Sequence, residues 1–309
     1  MQTLVTGASG YVGAALVARL QRDGHAVRGF ARSRERVAAA GAAPDALVLG
    51  DVVTGAGLDE ALEDVEVAYY LIHSMEGAAA GAFADTERRS AETFAERAAA
   101  AGVRRVVYLG GLVPGDAPLS RHLGSRLAVE HALLEAVPGT IALRASVVIG
   151  ARSRSFRFLV RLIERMPVLA LPAWRDNRTA PIDGRDVLEY LTRAATAPDA
   201  IAGRSWDIGG PDVMTYAAMI ARIADAMMVR RPSLPLDVTL TPVASVVAAA
   251  IAGEDPALIG PLMESLEHDL LPREGHDAAA AFGVHLHAFD AAVERALRDW
   301  ERTEELAGR

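Results

Sequence analysis

Thr6-Gly7-Ala8-Ser9-Gly10-Tyr11-Val12-Gly13 joins a short apolar segment, Thr3–Thr6, to one in which Val12, Leu16 and Leu20 fall four apart, the spacing of a single helix face over Tyr11–Arg22. Each glycine has a physical use in a strand-to-helix turn of this kind. Gly7 permits the tight turn, Gly10 lets backbone N–H groups approach a pyrophosphate with no Cβ between, and Gly13 lets the helix lie close to the strand. The helix N-terminus adds partial positive charge for the phosphates. Three glycines can also shape such a turn with no ligand in view, so the meaning of the loop depends on the elements around it.

Working outward, the pattern predicts further strands at Ala26–Ala31, Ala46–Leu49, Val65–Ile72, Arg105–Leu109 and Thr140–Ala145, separated by helical stretches. Val65–Ile72 is almost wholly apolar, as a strand covered on both faces must be. The helix at Ala84–Ala101, with Phe83, Phe94 and Ala98 on its apolar side, closes at Gly102, and the helix at Leu123–Val137 stops before Pro138. Regular alternation of strand and helix is the pattern of a parallel sheet with right-handed crossovers, so the expected class is α/β, a doubly wound Rossmann sheet. After Gly150 the rhythm changes to longer helices, links containing Pro167, Pro172 and Pro181, and short strands such as Ser205–Ile208. The reading is therefore a dinucleotide-binding Rossmann domain over 1–150 and a smaller substrate or lid region over 151–309, with a returning segment near 181–210. Phe289, Val293, Leu297 and Trp300 share a helix face over Ala288–Glu304, which argues for core packing or a contact between copies in a homo-oligomer.

Composition narrows the function classes. With 51% hydrophobic, 23% charged and 5% aromatic residues the 309-residue chain is of ordinary globular type. A net charge of −8 offers no footing for a nucleic-acid backbone, so no nucleic-acid partner is expected. The absence of Cys excludes disulfides, thiolate catalysis and thiolate metal sites. No HExxH pair is present, and His285 and His287 are the nearest histidine pair, so no metal is expected. The start of the chain shows no secretory pattern, and Val243–Ala252 is too short an apolar run to span a bilayer, so a cytoplasmic protein with no membrane span is expected.

At the end of the second strand, where an acid would take a ribose 2′-hydroxyl, the chain reads Phe30-Ala31-Arg32-Ser33-Arg34. Arg32 and Ser33 suit a 2′-phosphate, which favours NADP(H) over NAD(H); the competing reading is solvated arginines at a helix start. Asp51-Val52, after the third strand, can border the adenine pocket, or Asp51 can merely cap the turn beyond it.

These residues together resemble the short-chain dehydrogenase/reductase superfamily in its extended or atypical branch, whose loop has the GxxGxxG spacing. Leu49-Gly50-Asp51-Val52 is similar to that branch's adenine-contacting segment, Leu143-Arg144-Ala145-Ser146-Val147-Val148-Ile149-Gly150 to its cofactor turn, and Pro181-Ile182-Asp183-Gly184-Arg185-Asp186-Val187 to the segment returning from the substrate region. Tyr69-Tyr70-Leu71-Ile72-His73-Ser74-Met75 is similar to a bacterial subgroup of atypical type and implies that Leu71 to Ser74 lie beside the nicotinamide ribose. The implied cofactor set is Gly7, Ser9, Gly10, Tyr11, Val12, Gly13, Arg32, Ser33, Asp51, Val52, Leu71, Ile72, His73, Gly110, Arg126, Ser146 and Val147.

The family's Ser, Tyr and Lys are not where the resemblance would place them. Gly110 or Gly111 stands for the Ser, and His122 and Arg126 take the spacing of the Tyr and Lys. An imidazole can donate or accept a proton at a developing alkoxide, whereas a guanidinium stays charged and can only anchor hydroxyls or depress the titration of His122. The alternative is that His122 only lines the helix start; His73 is a second candidate, and Tyr108 reads as core. Phe156, Phe158, Trp174 and Pro181 are candidate pocket walls, and Arg152, Arg154 and Arg157 either neutralise phosphates or form a solvated helix surface. The first expectation is an NADPH-dependent oxidoreductase acting on a small apolar carbonyl or activated alkene. A non-catalytic NADPH-binding sensor or assembly protein is the second. Sugar-nucleotide epimerisation or dehydration, which uses the Tyr and Lys absent here, is the third.

Overall fold

The structure, a computed structural model, describes residues 1–72, 82–115, 119–236, 260, 263–273, 275, 277–304 and 306. His73 and the apolar run Val243–Ala252 lie outside the described residues. Seven strands form one sheet: β1 Gln2–Thr6, β2 Ala26–Ala31, β3 Ala46–Leu49, β4 Val67–Tyr70, β5 Arg105–Gly111, β6 Ile141–Ala145 and β7 Arg204–Ile208, in the spatial order β7-β6-β5-β4-β1-β2-β3. All neighbours pair in parallel. The expected doubly wound sheet is therefore present. Strand order reverses between β1 and β4, and the crevice outside the carboxyl ends of strands at such a point is where ligands of open α/β sheets bind.

Helices α1 Tyr11–Arg22, α2 Arg34–Ala39 and α7 Gly184–Thr196 cover one face, and α3 Leu58–Leu62, α4 Ala82–Ala100 and α5 Arg121–Ala136 cover the other. The returning segment thus supplies a covering helix and the edge strand β7. The short helix Ala278–Phe282 also joins this half, where the Phe282 ring meets Tyr190 and Trp206 edge-on at 5.8 and 5.5 Å. A second apolar core lies between α6 Arg154–Arg165, α8 Tyr216–Ala226 and the C-terminal helix Phe289–Glu301, which buries Phe289, Val293, Leu297 and Trp300. No helix among the described residues is long and apolar enough to cross a membrane.

Local chemistry explains the differences from the expected boundaries. The fourth strand is shorter than Val65–Ile72 because the Leu71 amide donates to the Thr6 hydroxyl at 3.2 Å and leaves the ladder, while Thr6 donates to Tyr69 O at 2.9 Å. Helix α5 begins at Arg121, two residues early, because the Ser120 hydroxyl caps it by accepting from the Leu123 amide.

At the carboxyl edge of the sheet, the Arg144 guanidinium on β6 is buried and donates to both oxygens of Glu130 on α5 at 2.9 and 2.7 Å. It also lies 3.9 Å from Asp207 on β7, whose carboxylate is gripped by Arg273 at 2.7 and 2.9 Å. Removing one partner from such a network leaves a buried charge uncompensated. Arg144→Met is expected to lower unfolding free energy by about 3 kcal/mol in urea titration, with partial recovery in Arg144→Met/Glu130→Gln.

Candidate functional site

The glycine loop is built by close approach. The Gly10 amide donates to Gly7 O at 2.9 Å, and Gly7 adopts φ +69°. A Cβ at Gly7 would lie 2.6 Å from Leu71 O, and one at Gly13 would lie 2.2 Å from Gly7 O. Neither backbone oxygen can retreat, so both positions demand glycine. A Cβ at Gly10 would meet only Gly7 O, at 3.2 Å, so the other side of this exposed residue is open to a ligand. Gly10 is the N-cap of α1, with no side-chain cap and no acid in the first turn. The first N–H groups of α1 are thereby left for an anion, with half-buried Ser9 and Val12 on either side.

Arg32 follows β2 directly, is exposed, and makes no hydrogen bond or ion pair with any described residue. Ser33 caps α2 by accepting from the Arg36 amide and donates to Glu35 at 2.7 Å. Asp51 accepts from the Val53 amide at 2.7 Å, so it does cap its own turn, and Val52 is core. One Asp51 oxygen is engaged in that way. Leu71 is buried against the glycine loop and Ile72 is half-buried beside it.

On the other side of the crevice, Gly110 and Gly111 end β5 opposite Arg144 and Ala145. The Tyr108 hydroxyl donates to Arg126 O at 3.2 Å and the ring is core, as expected. His122, Arg126 and Glu130 recur every four residues on the buried face of α5. His122 is 8% exposed, and its Nδ1 is buried with no hydrogen-bond partner among the described residues. Burial above all, and then the Arg126 charge, push its pKa from the usual 6.5 down to about 3. The ring is neutral at pH 7. Ser146 meets Thr179 through their hydroxyls at 2.9 Å, and Val147 O accepts from the Ile182 amide, so the turn after β6 is fastened to the returning segment.

The C-terminal part covers this region. Ser265 meets Ser120 at 3.1 Å, and Leu270 packs with Leu112 and Leu123. Phe156, Phe158 and Trp174, expected as pocket walls, are instead buried in the second core, where their apolar area is better hidden from water. Arg157 stacks 4.3 Å over Trp300 and pairs with Glu304, and Arg152 donates to Ala40 O at 2.8 Å; both are used in packing. Sequence reading missed the buried pair in which the Ser125 hydroxyl donates to Glu87 at 2.5 Å. The available signal was an acid in phase with Ser90, Ala91 and Phe94 on the buried face of α4. No group of three potential metal ligands occurs among the described residues. A cleft of about 410 Å³ lies at the opposite edge of the sheet beside Arg19, His25 and Phe282, away from the loop.

Residues 7–137 match a family described as NAD(P)H-binding. The ceramide reductase of Caulobacter vibrioides is 28% identical over 195 residues, 63% of this chain and 61% of that protein. Subunit 9 of the NADH dehydrogenase 1 alpha subcomplex of Arabidopsis thaliana mitochondria is 25% identical over 114 residues, 37% of this chain and 28% of that one. The chain thus spans less than two thirds of either relative. A short-chain dehydrogenase/reductase superfamily protein from Agrobacterium tumefaciens with bound NAD superposes with a TM-score of 0.72 at 19% identity, covering 98% of both chains. A UDP-glucose 4-epimerase from Thermotoga maritima does so with a TM-score of 0.73 at 12% identity, over 98% and 99% of the two chains.

The His122 environment has a stability signature. Between pH 6.5 and about 3 the unfolded chain takes up a proton that the folded one refuses, so this contribution is fully present above pH 6.5 and is lost as pH falls toward 3. His122→Gln should flatten the acid side of the melting profile relative to the parent; parallel profiles would remove the buried neutral imidazole.

Proposed function

We propose that this chain, whose residues 7–137 match a family described as NAD(P)H-binding and whose fold is shared with a short-chain dehydrogenase/reductase superfamily protein and a UDP-glucose 4-epimerase, is an NADPH-dependent oxidoreductase acting on a small apolar carbonyl or activated alkene. The observation that carries the cofactor choice is Arg32: an exposed guanidinium with no partner among the described residues, at the end of β2, where an acid for a ribose 2′-hydroxyl is missing. The open side of Gly10 and the uncapped start of α1 fit a pyrophosphate. Bound NADP(H) supplies the hydride chemistry.

The chain's own residues bind and orient. His122, neutral at pH 7, is a hydrogen-bond donor to a substrate oxygen and a weak base, so the proton that balances a transferred hydride comes from water in this reading. Arg126 anchors ribose hydroxyls through a permanent charge. Leu112, Leu123 and Leu270 form a small buried apolar cluster at the start of α5, next to His122 in the chain, and apolar surroundings there suit an uncharged substrate. Similarity to a reductase named for ceramide supports the reaction class.

The second reading is a cofactor-binding protein that performs no chemistry. It is favoured by the same low titration of His122, which leaves no group in the Tyr or Lys positions able to exchange a proton near neutrality, and by the similarity to a protein named as a subunit of the NADH dehydrogenase 1 alpha subcomplex. Stereospecific exchange of the C4 hydrogen of NADPH across a carbonyl and enone panel separates the two: a reductase exchanges with a suitable substrate, a sensor with none.

Titration with NADPH and NADH, monitored by nicotinamide fluorescence, tests the cofactor reading. NADPH is expected to bind more tightly, and Arg32→Ala to weaken it about tenfold to a hundredfold while leaving NADH unchanged, the loss of one charge-assisted contact. Equal binding of both cofactors by the parent would overturn the preference, and binding of neither would overturn the function.

A further inference from the structure

Gly150, after β6, and Gly184, the first residue of α7, share an unusual neighbour. A Cβ built at Gly150 would lie 2.0 Å from the Tyr11 hydroxyl and 2.9 Å from its ring carbon Cζ; one at Gly184 would lie 2.4 Å from the same hydroxyl. Neither glycine has a positive φ, so backbone conformation does not require glycine at either place. For Gly184, the next atoms after the hydroxyl are Ile149 O at 3.3 Å, a tight backbone contact that a few tenths of an ångström would relieve, and Cζ at 3.5 Å, an ordinary one. At a helix N-terminus, alanine would otherwise be the better helix former. The Tyr11 oxygen is therefore what excludes a side chain there.

Tyr11 is the first residue of α1 and directly succeeds the loop residue Gly10. Its hydroxyl also feels Asp183, the residue that caps α7, and burial with that carboxylate pushes the phenol up to about 12, so it stays protonated and neutral. We infer that Tyr11 is a positioning residue for the cofactor: its hydroxyl fills the space left by the missing side chains of Gly150 and Gly184 and sets the N-terminus of α1 against the start of α7. The spacing of the glycine-loop N–H groups from a pyrophosphate then depends on a contact made outside the loop. This rests on the reading that the loop receives NADPH.

The geometry predicts a graded rescue. Gly184→Ala forces the hydroxyl away, shifts the start of α1 and weakens NADPH binding about tenfold. It raises KM for NADPH with kcat unchanged. Tyr11→Phe alone weakens binding by a smaller factor, because the gap left by one oxygen can partly close. In Gly184→Ala/Tyr11→Phe the methyl takes the oxygen's place and affinity returns to that of Tyr11→Phe. The same change rescues Gly150→Ala only in part, because Cζ remains 2.9 Å from the new Cβ. Titrations are made well below each variant's melting temperature, so that folding does not limit binding. Parent-like affinity in Gly184→Ala, or a double variant as weak as Gly184→Ala, overturns the inference. Absence of NADPH binding by the parent protein would instead defeat the functional reading itself.

Discussion

The Thr6 hydroxyl joins the carboxyl ends of β1 and β4, accepting from the Leu71 amide and donating to Tyr69 O. Everything at the crevice is built on that junction. With β4 ending there, the Leu71 carbonyl stands where Gly7 must pass, and only a residue without Cβ can take the turn at φ +69°. Gly13 then lies against the carbonyl of Gly7, which lets α1 descend onto the sheet with its first N–H groups facing the open side of Gly10. One side-chain hydroxyl and two missing methyl groups thus aim a helix dipole at the place where the sheet order reverses.

The opposite wall depends on charge. Glu130, Arg144, Asp207 and Arg273 form an alternating series that ties α5 to β6, β6 to β7, and β7 to the C-terminal segment. Buried ions are costly unless each has a partner of good geometry, and here Arg144 and Arg273 each grip a carboxylate through two bonds. That segment brings Ser265 to Ser120 and Leu270 to Leu123, at the start of α5. The low titration of His122 comes from its burial and, next, from the Arg126 charge one turn further along α5.

Much of the sheet half was legible because its signals are local. The loop spacing and the alternation of apolar strands with helices are both relations between residues close in sequence. Strand and helix ends were misjudged where a side chain competed with the backbone ladder, as Thr6 does at Leu71 and Ser120 does at Leu123. Aromatic residues after Gly150 misled in another way. Phe156, Phe158 and Trp174 have the composition of a pocket wall, but hydrophobic area is satisfied equally by a core, and helical spacing does not say which.

By itself the sequence determined the parallel Rossmann sheet, the glycine turn with its uncapped helix start, and the absence of thiol chemistry, because each arises from residue type and short-range period. Only the tertiary structure decided that the Tyr11 hydroxyl meets Gly150 and Gly184, that Arg144 bridges Glu130 and Asp207, and that His122 is shut away from water beside Arg126. Those relations join residues far apart in the chain, and they are set by how α5, α7 and the C-terminal segment pack against one sheet edge, which no periodicity encodes.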